Sequence, residues 1–247
     1  MKLSVTKIST YLDCPRKYWY SYEMKIETPK SEGFYFGSAI HKGLENYYLG
    51  KDPIEGVRQS LFGKKARIKE TAREGVDPYK LYKEAKRILK LYPKKVPKYK
   101  PLFVEHFFEV DLIQPKVKEK LKATFRGKID LITTDSKVID HKTGMPNSIF
   151  MAKNVLQSNG YAYAYLMLFG KLPDEFLFNH MNKGNSKREP EFEINPMKPS
   201  LEDVCDFFET CRYVLDEISQ NKTQHNPKAS SWGCRFCQYK NICSYRK

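Results

Sequence analysis

Between Leu102 and His141 the chain alternates apolar and polar residues with a period of two, and on both sides it returns to helical spacing. That switch constrains the fold more than any other feature. Leu102, Val104, Phe108 and Val110 are expected on one face of a first strand. Leu121, Ala123, Phe125, Gly127, Ile129 and Leu131 alternate along a second, over 121–132, and 137–141 reads as a third. The turn Thr133-Thr134-Asp135-Ser136 joins the last two as a hairpin. Before this block lie a helix over 7–12 stopped by Pro15, an aromatic segment (Tyr18, Trp19, Tyr20, Tyr22) and a helix within 33–50 on Ile40, Leu44, Tyr47 and Tyr48. A highly charged stretch follows, with a helix over 79–92 on Leu81, Ala85, Ile88 and Leu89. After the block come a helix over 155–169 ended by Gly170, a strand at 176–181, an edge strand at 191–194 and an amphipathic helix over 201–219. The order predicts an α/β fold, one mixed central sheet with helical decoration. At 247 residues it predicts one domain, 1–247, with an insertion-like helical region at about 51–100 and a cysteine tail at about 230–247.

Charge adds a partner class. Lys and Arg number 44 against 29 Asp and Glu, a formal +15, which points to a polyanion, most simply nucleic acid. Lysine-rich surfaces also occur in lysine-biased proteomes, so charge alone does not decide. An aromatic content of 14% excludes intrinsic disorder. The best apolar run, 162–169, is too short for a membrane span, and the opening MKLSVTKISTYL lacks a signal-peptide core, so no membrane and a cytoplasmic location are expected. In such a setting the six cysteines (Cys14, Cys205, Cys211, Cys234, Cys237, Cys243) suggest metal rather than disulfides.

Asp130 and Asp140 lie on consecutive strands of the hairpin, and Lys142 is two residues beyond Asp140, on the same face. Two converging carboxylates form a hard-oxygen site suited to Mg²⁺ or Mn²⁺, and an adjacent lysine can orient water and offset charge on a phosphodiester. Exposed strands carry Asp-x-Lys pairs routinely, so the pair gains meaning only from its surroundings. His41 and Glu45 share a helical face in Gly37-Ser-Ala-Ile-His41-Lys-Gly-Leu-Glu45, and Gln157 and Tyr161 share another.

In chain order these pieces resemble the RecB-like branch of the PD-(D/E)XK nuclease superfamily: GxxxH (Gly37 to His41), GxxD (Gly127 to Asp130), DxK-TG (Asp140, Lys142, Thr143, Gly144) and QxxxY (Gln157 to Tyr161). The resemblance implies a restriction-endonuclease-like sheet. It implies a metal held by His41, Asp130 and Asp140 with the backbone carbonyl of His141, a catalytic Lys142, and Gln157 and Tyr161 positioning metal-site groups or DNA. Glu105 looks like the acidic residue of the family's first core strand, with Glu109 as the alternative.

The iron–sulfur subset of the same nucleases carries one cysteine in a CPR-K segment, as at Cys14-Pro15-Arg16-Lys17, and a C-terminal cysteine motif similar to Cys234-x2-Cys237-x5-Cys243. The resemblance implies a [4Fe–4S] cluster on Cys14, Cys234, Cys237 and Cys243, stapling the two ends of the chain. A Cys₄ zinc site uses the same ligands. Cys205 and Cys211 read as buried bystanders, and His106, His180 and His225 as structural histidines. The aromatics at 18–22 beside Arg16 and Lys17 fit either core packing or base stacking, core packing being the default.

The resemblance is nearest to the CRISPR-associated single-domain nucleases and the AddB-type nuclease domain. It implies a metal-dependent deoxyribonuclease, an exonuclease on single strands or DNA ends in recombination, repair or CRISPR spacer acquisition. Two alternatives stay open: a DNA-end-binding subunit that trims only within a complex of recombination or CRISPR adaptation proteins, and a catalytically silent DNA-binding protein with a structural Cys₄ site. No Walker-type motif accompanies the cysteines, so the chain carries no motor.

Overall fold

The computed structural model describes residues 1–64, 66, 68–144, 148–185, 188–223 and 231–244. In chain order it contains β1 (Lys2–Leu3), α1 (Val5–Asp13), α2 (Pro15–Tyr18), a π-helical turn (Trp19–Glu23), α3 (Glu32–Tyr48), α4 (Pro53–Phe62), α5 (Ile68–Thr71) and α6 (Pro78–Lys95). There follow β2 (Pro101–Ile113), β3 (Lys120–Thr133), β4 (Lys137–Thr143), α7 (Ser148–Phe169), β5 (Glu175–Asn182), β6 (Glu191–Met197), α8 (Leu201–Ser219) and α9 (Ser231–Arg235).

Local chemistry accounts for the helix starts. Ser4 and Ser31 accept from Lys7 N and Phe34 N at the heads of α1 and α3. Asp52-Pro53 and Asp77-Pro78 each supply a capping carboxylate and a proline whose missing N–H would be unsatisfied anyway. Ser200 and Asp203 close a capping box on α8. The start of α4 was therefore signalled by Asp52-Pro53, although its apolar pattern is too diluted by charge to be read as a helix.

The strand order is β1-β3-β4-β5-β6, with β2 on β3. Parallel β1/β3 and β4/β5 pairs combine with antiparallel β2/β3, β3/β4 and β5/β6, giving the mixed sheet expected. One face is covered by α1, α7 and α8, which bury Ile8, Tyr163, Val204 and Phe207 against Phe108, Phe125, Ile129, Phe176 and Phe178. On the other, Ile40, Leu44, Val57, Leu81 and Ile88 of α3, α4 and α6 gather around Met181. The helices at 51–100 thus build one wall over the sheet.

One expectation about β2 fails. Val104 packs with Leu131, Ile139 and Leu177, whereas Phe108 and Val110 join the α7 side, and Leu102 is half-exposed. The two parts of the strand face opposite ways. Between them Glu105 has φ +52°, in the left-handed region that costs a non-glycine residue about 1–3 kcal/mol. The turn also brings Phe103 and His106, three apart, into ring contact at 4.6 Å. On β3 the same break separates Ile129, on the α7 side, from Leu131.

Candidate active site

β3 and β4 pair at Leu131/Ile139 and Ile132/Val138, and Asp130 and Asp140 sit one residue past the last pair, where the strands part. The hairpin geometry read from the sequence therefore brings both carboxylates to the mouth of a fork. Both are buried, at 8% and 3% exposure. In place of a second ladder, His141 N donates to Asp130 Oδ2 at 2.8 Å.

From the α3 wall, His41 Nδ1 reaches Asp130 Oδ1 at 3.3 Å and Glu105 Oε1 at 3.9 Å. Ligand atoms of His41, Glu105 and Asp130 all lie within 4.8 Å of one another, a donor set with room for one cation. The strained backbone at Glu105 is thus the point where β2 delivers a carboxylate to the site. Burial opposes the charge of His41, but Asp130, Glu105 and the more remote Asp140 outweigh it and raise the imidazole to about 10. Burial likewise opposes the charge of Asp130, and the facing His41 with the His141 N–H holds that carboxyl below its usual range. Glu109, the alternative acid, turns away: it takes Lys2 Nζ at 3.0 Å and Thr124 Oγ1 at 3.0 Å. Glu45 pairs with Lys42 at 2.7 Å. Sequence reasoning missed Lys128, which forms an ion pair with Glu105; an exposed lysine two residues before Asp130 carries no pattern that would single it out.

On the opposite wall α7 supplies Gln157. Its Oε1 accepts from Lys142 Nζ at 2.5 Å and its Nε2 donates to Asp140 Oδ1 at 2.6 Å. Lys142 Nζ lies 2.7 Å from Asp140 Oδ2, a buried oxygen that has this ammonium as its partner. Burial pushes the Asp140 carboxyl above its usual range, against the pull of Lys142. A buried carboxylate is a hard-oxygen donor, suited to a divalent cation. Tyr161, one turn after Gln157, packs at 5.9 Å from Phe108. Gly127 has a reason the sequence did not show: a Cβ there would fall 2.8 Å from Phe108 Cζ and 3.4 Å from Tyr161 Cε1. The glycine makes room for rings, not for substrate backbone.

The His141 ring lies edge-on to His41 at 6.4 Å, within an aromatic cage. It stacks on Tyr48 at 6.0 Å, meets Tyr92 edge-on at 6.1 Å and has Asn179 Nδ2 3.4 Å from Nδ1. Burial in that aromatic cage depresses its pKa to about 4, so the ring is neutral and acts as packing behind the site.

The cysteines fall into two groups in space. Cys205 and Cys211 are buried in α8, within the core. Cys14, Cys234, Cys237 and Cys243 come together from the two ends: burial first, then the neighbouring thiols of Cys14, Cys237 and Cys243, push the Cys234 thiol up. Tyr239 donates to Ile26 O at 3.1 Å and shares a hydrogen bond with Ser21 Oγ at 2.9 Å, and Tyr20 donates to Ile242 O at 3.0 Å. Among the described residues the four thiols do not converge as closely as the His41 group does. Tyr18 and Tyr20 are buried, and Arg16 lies over Trp19 at 4.2 Å, so this aromatic segment is packing. His180 has Nδ1 3.3 Å from Gly144 O, and His106 sits against Phe103, both structural. His225 lies outside the described residues.

A mixed sheet that splits to present acids, a histidine and a lysine defines a class of protein: nucleases that work with a divalent metal. The chain belongs to the PD-(D/E)XK nuclease superfamily, whose model matches residues 2–244. Its fold is similar to that of the "Putative exonuclease" from Eubacterium rectale, at 14% identity and a TM-score of 0.66 over 98% of this chain and 89% of that one. SSO0001 is a more distant likeness, at 14% identity and a TM-score of 0.48 over 100% of this chain and 87% of that one. No curated protein matches the sequence significantly. Among the described residues no helix is long and apolar enough to cross a membrane.

Proposed function

We propose that this chain is a Mg²⁺- or Mn²⁺-dependent DNA exonuclease of the RecB-like branch, acting on single strands or DNA ends. The observation that carries the reading is the convergence of His41, Glu105 and Asp130 on one point beside the Asp140–Lys142–Gln157 triad. His41, Asp130 and Asp140 would hold the ion, with Glu105 and the His141 carbonyl completing its surroundings. When bound, such an ion supplies positive charge to the phosphodiester and lowers the pKa of water. The residues supply the rest. Gln157 pins Asp140 and Lys142 to each other, fixing the direction of the ammonium. Lys142 then offsets charge as it develops on the phosphate and holds the attacking water in line. Tyr161 is a positioning residue, setting the tilt of α7 through its packing on Phe108. The +15 charge of the chain suits a polyanionic substrate. The test is digestion of end-labelled single-stranded DNA with Mn²⁺ by the full chain and by Lys142→Ala. Cleavage by the wild type alone supports the reading, and unchanged cleavage by the variant overturns it. Cleavage that needs a recombination or CRISPR adaptation protein would make the chain an end-trimming subunit instead.

The clustering of Cys14 with Cys234, Cys237 and Cys243 favours a second centre. We propose a [4Fe–4S] cluster there, structural in role. A Cys₄ zinc site would use the same four thiolates, and the resemblance to the iron–sulfur subset favours the cluster. Anaerobic purification should yield a brown protein with iron and sulfide; a colourless, iron-free and active protein would remove the cluster and leave the nuclease.

A further inference from the structure

On the α3 side of the β2/β3 ladder, one large apolar ring stands in solvent. Phe107 is 62% exposed, on a strand whose next residue, Phe108, is buried. Its cross-strand partner is Lys128, so the two side chains rise from the same face with Cβ atoms about 5 Å apart. Lys128 is the residue that pairs with Glu105, which places the ring at the rim of the His41–Glu105–Asp130 group. Two residues along β3 on the same face stands Arg126, also exposed, about 6.6 Å from Lys128 along the strand. Glu109 lies opposite Arg126 but is engaged by Lys2 and Thr124. The neighbours of Phe107 on this face, Lys128, Arg126 and Glu109, are charged, so the ring has cations rather than apolar side chains beside it.

We propose that Phe107 is a base-stacking residue for an unpaired strand, with Lys128 and Arg126 beside it to meet consecutive phosphates. The inference rests on the nuclease reading above and deepens it by naming the substrate class. A nucleobase laid on the ring brings its own phosphate toward the fork, and a face of alternating ring and cation is complementary to a single strand rather than to a duplex, whose bases are already stacked. The ring therefore selects for unpaired nucleotides and fixes where along the strand the backbone enters the site.

The test uses the full chain and fluorescein-labelled oligonucleotides in Ca²⁺, comparing oligo-dT with an abasic strand of equal length and charge. Phe107→Ala should weaken oligo-dT binding about 5- to 100-fold and change abasic binding less than about twofold, while Phe107→Tyr, which keeps the ring, should restore oligo-dT binding. Equal loss on both strands, or no loss on oligo-dT, would overturn the stacking role, as would a wild type that favours a blunt duplex. A wild type that binds neither strand would instead sink the nuclease reading, and this proposal with it.

Discussion

The fork and the cysteine corner are both built from distant pieces of chain, yet they are held in different ways. At the fork, the polar groups largely satisfy one another. His141 N–H serves Asp130, Gln157 reaches in from α7 to serve Asp140 and Lys142, and Lys128 serves Glu105 across the sheet. The corner has tyrosine hydroxyls tying backbone carbonyls and short helical turns at 231–243, with burial and then the neighbouring thiols raising the Cys234 pKa. The contrast teaches that the fork is organised by its own polar groups, whereas the proposed cluster would add order to a corner closed by a few tyrosine contacts. In linkage terms, a metal at the fork would act mainly on activity, and the proposed cluster at the corner would contribute to the folding free energy.

The largest effect that can break this comparison is at the fork. Asp130→Ala and Lys142→Ala should each lower kcat by about 10²–10³-fold, with melting temperatures within a few degrees of wild type. Large losses of stability in both would show that the acids and lysine serve the sheet rather than the chemistry. Next comes the corner: Cys234→Ala with Cys237→Ala should abolish iron content and cost about 3 kcal/mol, the typical loss for a removed cross-link, a fall of about 6–12 °C in scanning calorimetry. A double variant that melts like the wild type would mean that the tyrosine contacts alone close the corner.

Gly127→Ala should destabilise by about 1–3 kcal/mol, because the added methyl meets the Phe108 ring. Adding Phe108→Leu should recover part of that loss, an interaction a double-mutant cycle reads directly. The smallest effect concerns pH. With His41 raised to about 10, the metal-free imidazole is charged through the neutral range, and a cation must displace its proton. Mn²⁺ affinity should therefore rise with pH from 6 to 8, by up to about tenfold per unit. Calorimetric titration at three pH values checks this, and a flat profile would place His41 outside the coordination sphere.

Much of the fork was legible in advance because it rests on counting. A four-residue turn fixes which residues face each other, so Asp130 and Asp140 had to meet, and helical spacing put Gln157 and Tyr161 on one side of α7. The left-handed Glu105 was not legible. Nothing in Val104-Glu105-His106 announces a positive φ, and the strand was therefore read as presenting a single face. The break follows from tertiary demand: β2 must reach one core with Val104, the other with Phe108, and the site with Glu105. The role of Gly127 was hidden for the same reason, since the rings that crowd it come from β2 and α7. At the corner, the resemblance named four cysteines that lie near one another in the structure, but the clasp through Tyr20 and Tyr239 depends on hydroxyl geometry that no periodicity encodes.

The reach of that clasp bears on the order in which the protein can be made. Ser21 and Tyr239 are 218 residues apart. A chain emerging from the ribosome produces Cys14 and the aromatic turn early and their partners only after the whole sheet has been synthesised. Until then the first thiol is without its companions and Tyr20 lacks its cover. The entropy of so long a closure grows slowly, by about 0.6 kcal/mol per doubling of length, so the finished corner is thermodynamically affordable. Kinetically it is late, since contacts this distant form slowly. Docking of the corner thus becomes a record that everything between its two halves has already folded.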